Sequence, residues 1–427
     1  MTIRTRKSAM TVLAVLALLS ATLFLSGCFG GRYESGDSQD GEPAAQPAPV
    51  DGADQDASPP ANEAPEPVIP PPAEATIVAV GDIMMHTPQL PGAYDAKTGT
   101  YNFDGFFREV SSIISQGDWS IANLETPIAG AERGFKGYPL FNAPDELAAA
   151  IRNAGFNIVT TANNHALDQG ASGAVATLNT VHENGLLSVG TYDSEEASNQ
   201  PLVIEKNGIV NAILSYTYGT NGIPVPEDKP YLISLIDKEI MKEQIERARA
   251  DGADFVTVAL HFGIEYQRQP NDTQRELAEH CIKAGADLVL GSHPHVVQPY
   301  ERIVTAGYDG TERTGVVMYS MGNFISNQFG NYKEYGVIFK VRIKKTYLED
   351  GGSETEIVQI DPIPTWVHKY RSGGKSLYRI LPLEAVAAAK NDPLIPKRMF
   401  PQLEQKAAEM NAHLRSLTVQ ADTPASP

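Results

Sequence analysis

Five short polar clusters interrupt this chain of 427 residues, each directly after a run of aliphatic side chains. They are Gly81-Asp82-Ile83-Met84-Met85-His86, Asn123-Leu124-Glu125-Thr126-Pro127, Ala162-Asn163-Asn164-His165-Ala166-Leu167-Asp168, His261-Phe262-Gly263-Ile264-Glu265-Tyr266 and Gly291-Ser292-His293-Pro294-His295. Their carboxylates, amides and imidazoles form a donor set that suits first-row transition metals. In layered α/β folds the carboxyl ends of the strands form one rim, where ligands bind. If these strands share a direction, Asp, Glu, Asn and His side chains from all five clusters meet there. Two cations about 3.5–4 Å apart can then share a carboxylate and a hydroxide. His293 and His295 are two apart, so on extended backbone their side chains point the same way, with Pro294 stiffening the chain between them. Taken alone, that tripeptide reads equally as a surface turn.

The remaining histidines carry less. His182 and His280 fall on helical segments with charged neighbours and read as solvated; His368 and His413 lie outside any cluster. Cys281 falls on the apolar face of a helix and reads as a small buried hydrophobe.

The elements that must position the clusters alternate. Strands are expected at 75–80, 120–124, 156–161, 209–216, 255–260, 288–290, 316–319, 337–343 and 356–360. Helices are expected at 106–114, 145–153, 174–183, 236–250 and 273–284. This is the pattern of an α/β layered fold, and the late strands with few helices between them suggest a mixed sheet or two facing sheets. From about residue 387 the chain reads as helix and polar tail.

The N-terminal part is an address rather than a fold. Arg4, Arg6 and Lys7 precede an apolar run that ends in Leu25-Ser26-Gly27-Cys28, the form of a secretory signal. The ending resembles a bacterial lipobox, which implies cleavage before Cys28 and a lipid on its sulfur. The alternative, an uncleaved anchor, is disfavoured because the run is slightly short for a span. Between Tyr33 and Glu74 there are ten acidic residues and no Lys or Arg, part of a net charge of −18. Such a segment cannot bury enough apolar area to order itself and reads as an extended stalk. An acidic chain also repels phosphate backbones, which argues against nucleic-acid partners. The expected organisation is a signal peptide over 1–27, a stalk over 28–74, a catalytic-type domain over 75–385 and a helical C-terminal segment over 386–427.

Together with Phe141-Asn142-Ala143-Pro144, Gly285-Ala286-Asp287-Leu288-Val289-Leu290 and Tyr319-Ser320-Met321-Gly322-Asn323-Phe324, the clusters resemble the CapA-type capsule and poly-γ-glutamate synthesis family over roughly 75–328. That family is similar to the calcineurin-like metallophosphatases. The resemblance implies a four-layer αββα sandwich with two mixed sheets and two divalent ions, for which Mn, Fe and Zn all suit the ligands. It implies that Asp82 and His295 bind the first ion, that Asn164, His261 and His293 bind the second, and that Glu125 bridges them. It makes His165 the general acid or transition-state stabiliser, and His86 a further ligand. Asp168 is expected to orient rather than ligate, and Asn323 either touches substrate or closes a turn. Two departures from the phosphoesterase pattern stand out. Asp82 and His86 are four apart where Asp-x-His is usual, and the bridging residue is Glu rather than Asp.

The function expected from the resemblance is that of a lipid-tethered, extracytoplasmic protein in making or exporting poly-γ-glutamate or a capsule-like polymer. It would work beside a polymer synthase or export complex and carry a site for metal-assisted hydrolysis. Two other readings stay open: a surface metallophosphoesterase acting on phosphorylated metabolites or wall polymers, and a polymer-binding module without turnover. Fold and family leave the substrate to the site itself.

Overall fold

The computed structural model describes residues 69–418. The expected signal peptide, Cys28 and nearly all of the stalk lie outside them. Among the described residues, no helix is long and apolar enough to cross a membrane.

The strand Ala73–Ile83 sets the architecture, because its side chains are apolar on both faces. Successive residues of a strand point to opposite faces. Ile77 and Ala79 accordingly pack with Phe255, Leu288 and Val316, while Val78 and Val80 pack with Phe107, Leu147 and Ile151. One face therefore meets a second sheet and the other meets helices.

The first sheet runs, edge to edge, through Lys375–Pro382, Ser353–Ser372, Tyr335–Tyr347, Ala73–Ile83, Trp119–Leu124, Ile158–Thr160 and Leu187–Val189, with Asn323–Ile325 added alongside Ala73–Ile83. Ala73–Ile83, Trp119–Leu124, Ile158–Thr160 and Leu187–Val189 are parallel, Asn323–Ile325 runs parallel to Ala73–Ile83, and the first three strands pair antiparallel. The second sheet runs through Tyr300–Ala306, Glu312–Met318, Leu288–Ser292, Phe255–His261, Ile209–Thr217 and Leu202–Lys206. Its inner four strands are parallel and its two edge strands antiparallel. Helices Lys238–Ala250 and Asp272–Ala284 cover its outer face through Met241, Ile245, Leu277 and Cys281. The result is the expected αββα sandwich of two mixed sheets.

Four local expectations are corrected. The helix expected over 106–114 is two single turns, Asp104–Phe107 and Ser111–Ile114. Between and within them the Ser111 and Ser115 hydroxyls bond back to the carbonyls of Arg108 and Ser111, a local competitor to continuous helix. The strand expected to end at 360 continues to Ser372 through Pro362 and Pro364. Prolines are tolerated there because Lys375–Pro382 pairs only with residues 365–372, so the earlier half has a neighbour on one side only. His280 is buried rather than solvated: its ring nitrogens lie 2.8 Å from the Lys238 carbonyl and 2.7 Å from the Tyr308 hydroxyl. The C-terminal segment begins inside the helix Leu383–Ala389, and its second helix, Phe400–Leu414, is not an appendage. Phe400, Leu403, Ala407, Met410 and Leu414 join the core between the sheets, at the spacing of one helical stripe. His413 Nε2 on that helix lies 3.0 Å from the Val297 carbonyl, two residues beyond His295.

At the carboxyl ends of the central strands the backbones crowd. A Cβ on Gly81 would stand 2.0 Å from the Gly322 carbonyl oxygen, and one on Gly291 would stand 1.9 Å from that of Tyr319. Both contacts are backbone, so neither can be relieved by a rotamer change. Gly291→Ala is therefore expected to destabilise the protein by about 3 kcal/mol, read as a fall in urea midpoint at unchanged slope. A midpoint equal to the wild type would contradict this packing.

Candidate metal centre

The five clusters come from both sheets, and the carboxyl ends of their parallel strands open on one rim. Asp82 and Glu125 end neighbouring strands of the first sheet; His261, His293 and His295 follow neighbouring strands of the second. All are buried. Ligand atoms of Asp82, Glu125 and His295 lie within 4.8 Å of one another, as do those of Glu125, His261 and His293. Glu125 is thus common to two groups. Its Oε1 lies 3.6 Å from His261 Nε2 and 3.8 Å from His295 Nε2, and among the described residues it has no hydrogen-bond partner. The His293 Nδ1 is likewise buried without one.

The remaining expected ligand joins them. Asn164 Oδ1 stands 2.9 Å from His261 Nε2, while its amide nitrogen donates to Asn221 Oδ1 at 3.1 Å. His86 is not brought into any of these groups, which corrects its expected place. The four-residue spacing carries it past the strand end to the start of the turn Thr87–Gln89. There its Nδ1 accepts the Asn327 N–H at 3.3 Å and its ring meets Phe141.

His293 and His295 converge for a different reason from the one expected. Their φ angles are 98° and 58°, so the tripeptide is a left-handed turn and not extended backbone. Histidine visits this region more readily than most residues, but it is sparsely populated, and such positions cluster at functional sites. The turn is held because Asp82 Oδ2 lies 3.0 Å from His295 Nδ1 and the His295 carbonyl accepts from Asn323 Nδ2 at 3.2 Å. Asn323 is fully buried, and its amide also donates to Gln328 and the Lys333 carbonyl. It closes the turn from behind.

His165 stands beside the cluster. Its Nδ1 lies 2.8 Å from Asp168 Oδ2, which also accepts the Phe141 N–H at 2.7 Å. The Phe141 ring packs edge-on at 4.7 Å, and Asn163 Oδ1 caps the His165 N–H. Asp168 holds the imidazole through Nδ1 and lies outside the ligand groups.

Several residues that hold this site were not singled out from sequence. Asn123 Nδ2 donates to Asp82 Oδ1 at 2.9 Å and reaches Glu125 Oε2 at 3.4 Å, while its Oδ1 accepts from Thr160. Ser292 Oγ lies 2.9 Å from His261 Nδ1, which leaves Nε2 toward Glu125 and Asn164. Both sit inside the quoted clusters, so the signal was present. Tyr218 and Asn221 come from the loop after Ile209–Thr217, whose Tyr-Gly-Thr-Asn-Gly reads as a plain turn. Tyr218 is half-exposed and lies against His261 and His293. The only signal for that loop was its place at the carboxyl end of a parallel strand.

Burial dominates the electrostatics. It pushes the Glu125 carboxyl well above its usual range, with the Asp82 charge adding to the effect. Burial would also raise Asp82, but the hydrogen bond and charge of His295, with the Asn123 amide, outweigh it and hold that carboxyl low. Burial, then the neighbouring imidazoles, lowers His261 well below its usual value and His293 to about 4. His261 and His293 are therefore neutral, the form that ligates. An orphaned carboxylate oxygen, buried imidazole nitrogens and a facing amide oxygen suit a divalent cation. The residues present fit the group.

Fold and site together define a class: a four-layer α/β sandwich with a buried carboxylate–imidazole cluster on its rim. The chain belongs to the bacterial capsule synthesis protein family PGA_cap, whose family model matches residues 76–328, more than half of the chain. It is 31% identical over 288 residues to "PGA biosynthesis protein CapA" of Bacillus subtilis, covering 66% of this chain and 70% of that protein. It is 31% identical over 265 residues to "Capsule biosynthesis protein CapA" of Bacillus anthracis, covering 59% of this chain and 60% of that protein. Among solved structures it is similar to the NAD nucleotidase of Haemophilus influenzae, with a TM-score of 0.44, 15% identity and coverage of 80% of this chain and 68% of that one. It is also similar to the calcineurin-like phosphoesterase YfkN of Bacillus subtilis, with a TM-score of 0.40, 16% identity and coverage of 80% and 99%. Likeness at these scores carries no weight for the function.

Proposed function

We propose that this protein is a metal-dependent hydrolase of phosphoryl or acyl esters that serves capsule or poly-γ-glutamate synthesis or export. The observation that carries the reading is Glu125, one buried carboxylate shared by two ligand groups with an oxygen that nothing among the described residues satisfies. Asp82, Glu125 and His295 would hold one divalent ion, and Glu125, Asn164, His261 and His293 a second. A pair of such ions supplies hydroxide near neutral pH and neutralises charge on a phosphoryl or acyl oxygen. The protein's own part is to place His165. Asp168 fixes its Nδ1, so Nε2 is the nitrogen that donates a proton to the leaving group. Phe141 backs the ring and excludes water from that side.

The polymer role is supported by family membership and by the names of the two Bacillus relatives. The B. anthracis protein is covered over only 60% of its length, so its whole activity is not transferred. An outward, lipid-held location rests on the sequence ending at Cys28, as does the membrane partner, and a synthase or export complex remains the expected company. The testing experiment is a panel of phosphomonoesters, phosphodiesters and acyl esters, run on full-length protein stripped of metal and then reloaded with Mn, Fe or Zn. Turnover restored by metal and abolished by chelator is expected. Absence of metal-dependent turnover with polymer still bound would favour the binding-module reading.

A further inference from the structure

We propose that Asn221 is a positioning residue that holds the Asn164 amide with its oxygen toward the second ion of the centre proposed above, a role that rests on that reading of the site. An asparagine ligates through its oxygen, yet the two ends of a carboxamide are alike in shape, and only their hydrogen bonds tell them apart. Asn164 is buried, with Oδ1 2.9 Å from His261 Nε2. When His261 gives that nitrogen to an ion, its proton resides on Nδ1, which lies 2.9 Å from Ser292 Oγ. Nε2 is then a bare lone pair, and before an ion arrives it draws the NH2 end of Asn164 in place of the oxygen. The group that opposes this flip is Asn221, whose Oδ1 accepts from Asn164 Nδ2 at 3.1 Å. The flipped amide would set oxygen against oxygen there, so the acceptor favours the ligating orientation.

Residue 221 is exposed, so burial does not hold its side chain in place; the backbone does. Thr217 pairs with His261 at the strand ends, and the Tyr218 N–H donates to the His261 carbonyl at 3.1 Å, so the loop departs from beside a ligand. Asn221 and Gly222 then turn with φ of 52° and 77°, and the Ile223 N–H closes on the Thr220 carbonyl at 2.9 Å. Two left-handed residues inside a closed four-residue turn match the type I′ pattern, for which Asn-Gly is a preferred pair. Thr220 is buried, and its hydroxyl donates to the Ile223 carbonyl, which ties the two ends of the turn a second time. The turn therefore presents residue 221 at a set point. Its Nδ2 lies 3.4 Å from His165 Nδ1, so one exposed amide touches both a ligand and the proposed proton donor.

The test is metal affinity, measured on full-length protein by competition with a chromogenic chelator for Mn and Zn. Asn221→Gly removes the amide and leaves the left-handed turn unstrained. It is expected to weaken the affinity for one of two equivalents by about 10–100-fold, with little change in the melting temperature of the metal-free protein. Asn221→Asp keeps an acceptor and tolerates the same backbone, and is expected to recover most of that loss. Wild-type affinity for both equivalents in Asn221→Gly would overturn the inference. An equal loss in Asn221→Asp would overturn it too, by assigning the effect to the turn and not to the acceptor. If the wild-type protein binds no metal at all, the proposed hydrolase centre fails first, so the two failures are distinguishable.

Discussion

His165→Ala is expected to lower kcat by about 10²–10⁴-fold, the range for losing a positioned general acid, while both metal equivalents stay bound. The split follows from where the side chain stands. His165 belongs to neither ligand group, and its Nδ1 is committed to Asp168 at 2.8 Å. Its link to the cluster is indirect: Asn221 touches both His165 Nδ1 and the Asn164 amide. Removing the imidazole therefore removes a proton donor without removing a ligand. Asp168→Asn is expected to cost less, because the ring keeps its packing on Phe141 but loses its fixed tautomer. Metal analysis beside single-turnover kinetics decides the matter. If His165→Ala releases a metal equivalent, the residue is a ligand; if kcat is unchanged with good leaving groups and poor ones alike, it takes no part in proton transfer.

Glu125→Gln is expected to do two opposite things. It should weaken metal binding by more than about 100-fold, beyond the loss typical of an outer-shell partner, because one carboxylate serves both groups. It should also make the metal-free protein melt higher than metal-free wild type. The sign follows from linkage. Burial and Asp82 raise the folded-state value of Glu125, so the folded form holds its proton more tightly than the unfolded form. That penalty on the ionised protein is absent at low pH. It sets in as pH rises past the unfolded carboxyl value of roughly 4.3, and it is complete above the folded value. Gln abolishes it, so the gap in melting temperature should be open at neutral pH and close toward pH 4. Asp82 is coupled to Glu125 by charge and a hydrogen bond, so the gap belongs to the pair and not to Glu125 alone. A variant that melts lower at every pH would show that Glu125 stabilises the fold rather than straining it for the sake of a cation.

The parts of this site that sequence could reveal share one property. Asp82, Glu125, Asn164, His165, His261, His293 and His295 each follow an aliphatic strand directly, so the change from apolar to polar marks the strand end and the motif together. Glycines mark the same places: Gly81 and Gly291 stand where the strands come within backbone contact of residues 319–322. What sequence hid was the part played by tertiary geometry. The convergence of His293 and His295 depends on a left-handed turn that no periodicity encodes. His86 shares a motif with Asp82 yet stands past the strand end against Phe141. Asn323 looks like a site residue and is a buried brace. The stretch 218–222 that bears Tyr218 and Asn221 carries no carboxylate or imidazole, so only its position after a parallel strand connects it to the rim. The late strands were hard to bound for a similar reason, since Pro362 and Pro364 normally end a strand and here lie where one side has no neighbour.

The most direct measurement is anomalous X-ray scattering from crystals of the full-length protein grown with manganese. Two peaks about 3.5–4 Å apart, one on either side of the Glu125 carboxylate, are predicted, with Asn164, His261 and His293 around one and Asp82 and His295 around the other. A cluster with the same side chains in place and no anomalous peak, or peaks only at surface carboxylates, would contradict it.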